Sequence, residues 1–479
     1  MNERLEQVLA DNFGFTSFKP GQSEIIEALL AGKNTVALLP TGGGKSLIYQ
    51  MIGEMREGLV IVVTPLLSLM QDQVARLNYS GERRVVALNS NLTRAERETI
   101  LNTLHQYQFL FISPEMLGER AVISALQRIK LNLLVVDEAH IIASWGPDFR
   151  PEYLNLPQIH QQLGRPQLLM LTATATHAVL EKIIAPFNLP KEQMFLYQQS
   201  VDRANIYLHN ERFENEQQKQ KSLLTLVQQL QGPGIIYFSS RRKATQMAQW
   251  LSSETGLRVM DYHAGLDNQD RYRIQHQFML GQIDLVTATS AFGMGLDKAD
   301  VRYVIHYQLS SDLANYLQEF GRAGRDGQTS AAILLYAQGD EFLQTAMINL
   351  TLPTEQAIIK MIDGHADADE IGQQQFDLIN FYRQKGYSKR QITEMFERRR
   401  GQRLSGLRQL VEYAQLKSGL RAFLLSAFEN SHSFDHEFES VGSDWSLEEI
   451  GLEKKDQSIK IHSDLPQWNE QIGKLFNLR

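Results

Sequence analysis

The sequence predicts an α/β protein with two tandem domains built on parallel sheets, followed by a helical C-terminal accessory region. Over the first 340 residues, short apolar runs alternate with polar or amphipathic segments of helical length. These runs form two series, and strand-like runs become scarce after about residue 341. Near-continuous apolar strands separated by helices indicate parallel sheets that are covered on both faces.

The two series of predicted strands set the domain organisation. The first series comprises NTVALL, GLVIVVTP, RVVALNS, FLFISP, LNLLVVD and QLLMLTAT, and the second comprises GIIYFSS, RVMDYHA, DLVTATS, VRYVIHY and AAILLYA. A chain of 479 residues also exceeds the size of a single compact core. We therefore predict a first α/β domain over 1–205, a second over 206–340, a helical region over 341–430 and an acidic segment over 431–479.

The accessory region combines a helical pattern with an uneven distribution of charge. QQFDLINFYRQKGYSKRQITEMFERRR predicts two helices joined at Lys385–Gly386, with Ser388 as the N-cap of the second. A further helix pair is predicted in GLRQLVEYAQL and SGLRAFLLSAFEN. Residues 383–421 carry eleven Lys/Arg against three Asp/Glu, whereas residues 422–479 carry five against eleven. Although the net charge of −7 does not by itself suggest nucleic acid, the basic segment predicts nonspecific phosphate contact through Arg398, Arg399 and Arg400.

Composition excludes several classes of protein. No run of about 18 uninterrupted apolar residues predicts a membrane span, and the N-terminus begins with charge rather than an apolar leader. Zero cysteines exclude disulfides and thiolate metal sites, which agrees with a reducing cytosol. We therefore expect a cytoplasmic protein.

A glycine-rich turn in LLPTGGGKSLIYQ predicts a phosphate-binding loop. The turn follows an apolar strand and precedes a helix, and in such loops backbone N–H groups surround the phosphates. Lys45 would reach the outer phosphates and the Ser46 hydroxyl would bind Mg²⁺. The strict motif G-x-x-x-x-G-K-[ST] requires glycine at position 39, where this chain has Leu39. The remaining predicted members of the loop are Thr41, Gly42, Gly43 and Gly44.

An acidic pair in LNLLVVDEAH predicts the catalytic partner of this loop. The apolar strand delivers Asp137 and Glu138 to its carboxyl end, beside the phosphate loop in a parallel sheet. Asp137 would hold Mg²⁺, and Glu138 would orient and deprotonate the attacking water. Two adjacent carboxylates repel each other unless a cation is present, so the pair itself indicates a metal.

Two arginines in QEFGRAGRDG predict a contribution from the second domain. Arg322 and Arg325 lie three residues apart and would project from one side of a helix or turn. An arginine that reaches across a cleft stabilises the charge of a phosphoryl-transfer transition state.

These three motifs together resemble a superfamily 2 helicase, and in particular the RecQ family of ATP-dependent DNA helicases. The family resemblance covers residues from about 11 to 340 and implies two RecA-like domains. It also explains Leu39, because that superfamily relaxes the first glycine of the loop. In FGFTSFKPGQSEII the resemblance implies that Gln22 reads the adenine edge, Phe15 stacks on the ring and Lys19 assists.

The resemblance also implies DNA contacts. VTPLLSLMQDQV and ISPEML resemble strand-tracking motifs, and LTATAT resembles a coupling motif. In VTATSAFGMGLDKADVRYVIHY the family match puts Asp297 near the ribose, with Thr287 and Ser290 near the DNA backbone. DEAHIIASWGPDFRPEY resembles the aromatic-rich loop by which RecQ enzymes sense single-stranded DNA. Its candidate contacts, which offer stacking faces and a cation, are Trp145, Phe149 and Arg150.

One departure from the family concerns zinc. RecQ proteins usually carry a four-cysteine zinc module after the second domain, whereas QRLSGLRQLVEYAQLKSGLRAFLLSAFEN resembles only its helical part. A substitute site from His432, Asp435 and His436 fits by spacing, but a solvated polar turn is the favoured interpretation, and no zinc is expected. An HRDC domain is not expected, and the acidic segment is either a reduced winged helix or a tail.

The combined prediction is an enzyme that hydrolyses ATP with Mg²⁺, moves along single-stranded DNA in the 3′ to 5′ direction and unwinds duplexes in recombination and repair. Its expected partners are single-stranded and branched or tailed duplex DNA, a single-strand-binding protein and other repair proteins, and a monomer is expected. Two alternatives stay open: an RNA-directed superfamily 2 ATPase and a non-catalytic nucleic-acid scaffold. GYSKRQITEMFERRR is typical either of a helix-turn-helix or of a solvated helical hairpin.

Overall fold

Two parallel β-sheets follow one another along the chain, and a helical region succeeds them. The computed structural model describes residues 2–40, 42–65, 67–79, 81–143, 151–173, 175–293, 298–364, 366–428 and 446–454. The predicted fold class is confirmed, and every predicted strand is present.

The first sheet has seven strands in the order β3-β4-β2-β5-β6-β1-β7, and each strand pair is parallel. Its apolar strands are buried because helices cover both faces. The carboxyl ends of β1, β6 and β5 are neighbours, so the glycine-rich loop after β1 and the acidic pair after β5 lie at the same edge. The strands are Asn34–Leu38 (β1), Leu59–Val63 (β2), Val85–Leu88 (β3), Phe109–Ile112 (β4), Leu131–Val136 (β5), Leu168–Thr172 (β6) and Met194–Gln198 (β7).

The second sheet has six strands in the order β10-β11-β9-β12-β13-β8, again with parallel pairing. Strands β7 and β8 were not predicted, because both lie at a sheet edge and carry a half-exposed, partly polar pattern in place of an apolar run. The strands are Ile206–Phe213 (β8), Gly234–Tyr237 (β9), Val259–Tyr262 (β10), Leu285–Ala288 (β11), Tyr303–His306 (β12) and Ser330–Ala337 (β13).

Helices pack on both sheets and form the accessory region. We call the first sheet with its helices the first unit, and the second sheet with its helices the second unit. In the first unit the helices are Asn2–Phe13 (α1), Gln22–Leu30 (α2), Lys45–Met55 (α3), Leu67–Tyr79 (α4), Arg94–Asn102 (α5), Pro114–Leu117 (α6), Arg120–Leu126 (α7), Leu156–Gln162 (α8) and His177–Ile184 (α9). In the second they are Glu216–Gln229 (α10), Arg241–Thr255 (α11), Asn268–Met279 (α12) and Leu313–Phe320 (α13). The remaining helices are Asp340–Thr351 (α14), Glu355–Ile362 (α15), Ala368–Ile371 (α16), Gln373–Gln384 (α17), Lys389–Gln415 (α18) and Leu420–Phe428 (α19).

The accessory region confirms one sequence prediction and corrects another. Ser388 caps α18 and forms a capping box with Gln391, as expected of an N-cap. The predicted separate helix in GLRQLVEYAQL is wrong, because α18 continues without a break through Gly401 and Gly406. Packing overrides the weak helix propensity of glycine here, since Gly406 lies against Asp312 of the second unit with little space for a side chain.

A short C-terminal segment packs on the second sheet. Ile450 and Leu452 are buried in the core that surrounds α10, and Leu230 pairs with Glu453 in an isolated β-bridge. In the described ranges, no helix combines the length and the apolar character needed to cross a membrane.

Candidate active site

A cleft of about 340 Å³ lies between the two sheets and brings together residues from both units. Its wall contains most of the nucleotide-site residues that the sequence predicts. These are Phe15, Lys19, Gln22, Gly42, Gly44, Lys45, Ser46, Asp137, Glu138, Arg322 and Arg325. Two further predicted residues, Thr41 and Asp297, lie outside the described residues.

The glycine-rich loop has the backbone conformation that its sequence predicts. Gly42 and Gly44 have φ values of 84° and 72°, in the left-handed region that favours glycine. Gly43 lies between them and donates its N–H to the carbonyl of Pro40, which closes the turn. Gly44 precedes the N-terminus of α3, where unpaired N–H groups and the helix dipole favour an anion. Leu39 is buried, and its N–H donates to the carbonyl of Thr172 in β6. Leu39 therefore extends the strand pairing and does not form part of the loop.

Gln22 contacts the loop itself. Its Nε2 donates to the carbonyls of Gly43 and Gly44 at 3.3 and 3.0 Å, and its Oε1 accepts from the backbone N–H of Lys19 at 2.8 Å. The ammonium of Lys19 also donates to the carbonyl of Gly42 at 2.8 Å. Phe15 lines the same cleft with 54% of its surface exposed. The adenine-reading roles of these residues stay predictions, while their contacts fix the shape of the loop.

The acidic pair follows β5, as predicted. The N–H of Asp137 donates to the carbonyl of Val63, which extends the strand pairing to the catalytic edge. Glu138 has a left-handed backbone with φ 49°, a strained conformation for a residue with a side chain. This turn directs Glu138 towards Lys45, whose Nζ lies 3.9 Å from Oε1 of Glu138.

His140 connects the acidic pair to β6. Its Nδ1 lies 3.3 Å from Oε2 of Glu138 and 3.1 Å from the hydroxyl of Thr172. Thr172 is fully buried and belongs to the motif that resembles a coupling segment. His140 was not singled out from the sequence, although its position two residues after Glu138 was a usable signal.

The two carboxylates differ in their electrostatic surroundings. Burial and the neighbouring charge of Glu138 raise the pKa of Asp137 to about 6. Burial also acts to raise the pKa of Glu138, but the charges of Lys45, His140 and Arg322 outweigh it and lower that pKa to about 2. Glu138 therefore holds its negative charge beside Lys45, whereas the Asp137 carboxylate lacks a comparable cation, which a bound divalent ion would supply.

The second unit contributes two arginines from the turn after α13. Arg322 is buried and donates from Nη1 to the carbonyl of Gly293, where an added β-carbon would overlap the guanidinium. The side chain of Arg325 lies against Gly42, with its Cγ 3.3 Å from the place a β-carbon would take. Both arginines thus line the cleft from the second unit, and Arg325 lies against the phosphate loop itself.

The predicted DNA contacts fall in different surroundings. Thr287 was expected near the DNA backbone, but it is fully buried within the second sheet and donates its hydroxyl to the carbonyl of Ala244 at 2.9 Å. Thr287 therefore exposes no surface to a DNA phosphate in this structure, because helices cover both faces of the sheet and all of β11 is buried. Ser290 lies beyond the end of β11 in a groove of about 300 Å³, which Thr289 also lines.

The aromatic-rich loop is described only at its ends. Trp145, Phe149 and Arg150 lie outside the described residues. After the loop, the buried Tyr153 donates its hydroxyl to the carbonyl of Asp137 at 3.4 Å. The acidic pair precedes the loop in the sequence, and Tyr153, which follows the loop, contacts Asp137. Both ends of the loop are therefore connected to the acidic pair.

The residues present fit a magnesium ion. The Ser46 hydroxyl and the Asp137 carboxylate line one cleft, and both are oxygen ligands of the kind that Mg²⁺ prefers. The raised pKa of Asp137 also indicates a carboxylate that lacks a compensating cation. Over the described ranges, no group of three or more His, Cys, Asp or Glu residues is arranged to hold a metal. The predicted substitute zinc site at 432–436 lies outside those ranges.

Comparison with known proteins defines the class. The model of the DEAD/DEAH box helicase family matches residues 19–183, and the model of the helicase conserved C-terminal domain matches residues 218–327. A crystal structure of the DUF1998 helicase MrfA bound to DNA shares the fold, with a TM-score of 0.59 and 18% identity over 71% of this chain and 52% of that one. The molecule is therefore a two-domain helicase of the DEAD/DEAH type.

Relatives in sequence identify the family. The chain is 40% identical to the probable ATP-dependent DNA helicase RecS of Bacillus subtilis, over 99% of this chain and 98% of that protein. It is 38% identical to the ATP-dependent DNA helicase RecQ of Pasteurella multocida, over 70% of this chain but only 52% of that protein. The chain belongs to the RecQ family of ATP-dependent DNA helicases. It spans almost the whole length of the RecS relative and about half the length of the RecQ relative.

Proposed function

We propose that this protein couples ATP hydrolysis to 3′ to 5′ movement along single-stranded DNA and unwinds duplex DNA in recombination and repair. One observation carries the proposal: Lys45 and Glu138 of the first unit face Arg322 and Arg325 of the second across a single cleft. A site divided between two units is completed when they come together, and this links chemistry to domain movement. The direction of movement and the pathway rest on the family membership.

The first unit would bind ATP and prepare the attacking water. The loop N–H groups and Lys45 would hold the phosphates, so that Lys45 exchanges its present contact with Glu138 for a phosphate oxygen. Glu138 would then lose the neighbouring charge that lowers its pKa and become a better acceptor of the water's proton. Ser46 and Asp137 would hold Mg²⁺, which when bound neutralises phosphate charge.

The second unit would stabilise the transition state. Arg325 lies against the phosphate loop at Gly42, and Arg322 is held by the carbonyl of Gly293. Because guanidinium groups stabilise charge that develops on the transferred phosphoryl group, hydrolysis would be fast only in the assembled cleft.

Single-stranded DNA would regulate the site through the aromatic-rich loop. Trp145 and Phe149 would stack on bases and Arg150 would contact phosphate. Tyr153 supports this link because its hydroxyl contacts the carbonyl of the candidate magnesium ligand Asp137. The expected substrates are therefore tailed or branched duplexes with a single-stranded region. We also propose a monomer in the bacterial cytoplasm that works with a single-strand-binding protein and other repair proteins.

The proposal is tested with substrates that separate polarity, nucleic acid and catalysis. Partial duplexes with a 3′ tail, a 5′ tail or an RNA tail are incubated with ATP and Mg²⁺, and strand separation is followed by fluorescence. We expect unwinding of the 3′-tailed DNA substrate and little unwinding of the other two. Preference for the RNA tail would favour the RNA-directed alternative, and DNA binding without ATP hydrolysis would favour the scaffold.

A further inference from the structure

Helix α4 contacts the second unit through a carboxylate. Oδ2 of Asp72 accepts a hydrogen bond from Nε2 of Gln275 at 3.1 Å, across 203 residues of sequence. Gln275 lies on α12, and its neighbours Ile274 and Phe278 anchor that helix in the core of the second unit. The amide is therefore held in position by the second unit, and its partner by the first.

The surroundings of Asp72 favour a hydrogen-bond donor from the second unit. Burial raises the pKa of Asp72, while the charge of Arg76 and the hydrogen bond from Gln275 oppose that effect. On the second unit, Tyr262 also lies within electrostatic reach of Asp72, since burial and the Asp72 charge raise the pKa of Tyr262 while Arg271 opposes them. A half-buried carboxylate loses water and needs a donor in its place, and the opposite unit supplies one.

The residue next to Asp72 faces the nucleotide side. Oε1 of Gln73 accepts from the hydroxyl of Tyr49 at 3.4 Å, and Tyr49 lies on α3, the helix that begins at Lys45. Tyr49 also hydrogen-bonds with Ser46, the candidate magnesium ligand. Gln73 lines the cleft together with Leu69 and Arg76 of the same helix. Consecutive residues of α4 thus contact the phosphate-binding helix and the second unit.

We propose that the Asp72–Gln275 hydrogen bond is a latch that holds the two units in the arrangement required for hydrolysis. This inference rests on the proposed function, because it assumes that ATP turnover needs an assembled cleft. The latch acts through position: it keeps Arg325 against the phosphate loop and Arg322 in the wall of the same cleft, and it contacts no reacting atom. Since α4 begins within the strand-tracking motif VTPLLSLMQDQV and Asp72 is part of that motif, DNA contact at the motif would affect both units through this helix.

The test reverses the charge at one partner and then restores the hydrogen bond. Gln275→Glu places a carboxylate against Asp72, and Asp72→Asn in the same chain supplies an amide donor to the new Glu. Because the protein has no cysteine, dyes can be attached at Asn102→Cys and Ser253→Cys, exposed positions in the two units. Energy transfer between the dyes is measured with a non-hydrolysable ATP analogue and single-stranded DNA, alongside stimulated kcat and the KM for DNA. Gln277→Glu, on the same helix, is the matched control.

We expect Gln275→Glu to lower stimulated kcat roughly tenfold and to reduce the closed population, with the double variant returning close to wild type. Gln277→Glu should resemble wild type. The inference is overturned if Gln275→Glu matches Gln277→Glu, or if the double variant is no better than Gln275→Glu. Thermal melting of each variant, together with the milder Gln275→Ala, separates loss of the latch from loss of folding. Absence of DNA-stimulated hydrolysis in the wild type would instead count against the proposed function, while the energy-transfer comparison would still test the latch.

Discussion

The two sides of the nucleotide cleft are built in different ways. On the first side, Lys45 follows β1 and the acidic pair follows β5 at the same edge of one sheet, where Lys45 contacts Glu138. On the second side, Arg322 is held by a backbone carbonyl and Arg325 lies against the opposite unit's loop. We therefore expect the first side to bind a phosphate by itself, and the second side to act only when the units meet. This difference predicts that substitutions on the two sides separate binding from turnover.

The largest expected effect comes from removing the candidate base on the first side. Glu138→Gln preserves shape and leaves the phosphate-binding loop intact, so ATP should still bind. Hydrolysis should fall by roughly 10²–10⁴-fold, because no carboxylate remains to accept the water's proton. Single-turnover hydrolysis and nucleotide binding are measured on the same preparation. Weakened ATP affinity with unchanged turnover would show that Glu138 has another role.

A somewhat smaller effect is expected on the second side. Arg325→Ala should lower kcat by roughly 10²–10³-fold, since it removes positive charge that faces the phosphates from across the cleft. ATP affinity of the first side should change much less. Arg325→Lys keeps the charge without the planar guanidinium and should recover only part of the rate. An equal loss of ATP affinity in both variants would indicate that Arg325 belongs to ground-state binding.

A still smaller effect should connect the first side with DNA. Tyr153→Phe removes the hydrogen bond to the carbonyl of Asp137 but retains the buried ring. We expect basal hydrolysis to stay near wild type and stimulation by single-stranded DNA to fall several-fold, by about the value of one hydrogen bond. Titration of ATPase rate with DNA measures both quantities. Parallel losses of basal and stimulated rates would assign Tyr153 to packing alone.

Elements that depend on one local pattern of residues can be predicted from the sequence. The buried strands were predicted because parallel sheets make continuous apolar runs. Lys45, Ser46, Asp137 and Glu138 were expected in one site because each follows such a run, and the structure places all four in the wall of one cleft. The burial of Thr287 was not foreseen because its motif contains several hydroxyl residues, and the extent of β11 decides that Thr287 lies inside the strand whereas Ser290 lies beyond it. The length of α18 was missed because glycine inside a helix normally predicts an end.

Contacts between residues far apart in the sequence could not be predicted from local patterns. Nothing in the sequence connects Asp72 with Gln275, since their pairing depends on how two separately folded units dock. The amide of Gln22 was likewise expected at an adenine ring, whereas its described contacts are carbonyls of the phosphate loop. Local patterns therefore predict the parts of each unit, and packing between units decides how those parts meet.

In the accessory region, two arginines that lie two positions apart on α18 can be compared in the same way. Arg398 is exposed, whereas Arg400 is largely buried and donates from Nη2 to the carbonyls of Leu352 and Pro353 at 3.3 and 2.9 Å. Those carbonyls follow α14, so Arg400 joins two helices of the region. The expectation that Arg398, Arg399 and Arg400 contact phosphate as one group therefore needs correction at Arg400.

This contrast predicts two different phenotypes. Arg398→Ala should weaken DNA binding slightly at every sequence and lower the salt slope by about one, because one fewer counterion is released on binding. Arg400→Ala should leave the salt slope unchanged and lower the free energy of unfolding by about 1.5–3 kcal/mol, the range for hydrogen bonds from a charged donor. Binding isotherms at several salt concentrations and urea denaturation distinguish the two. If Arg398→Ala leaves the salt slope unchanged, this face of α18 is solvated and contacts no phosphate. If Arg400→Ala changes the slope without loss of stability, its carbonyl contacts give way to phosphate when DNA binds.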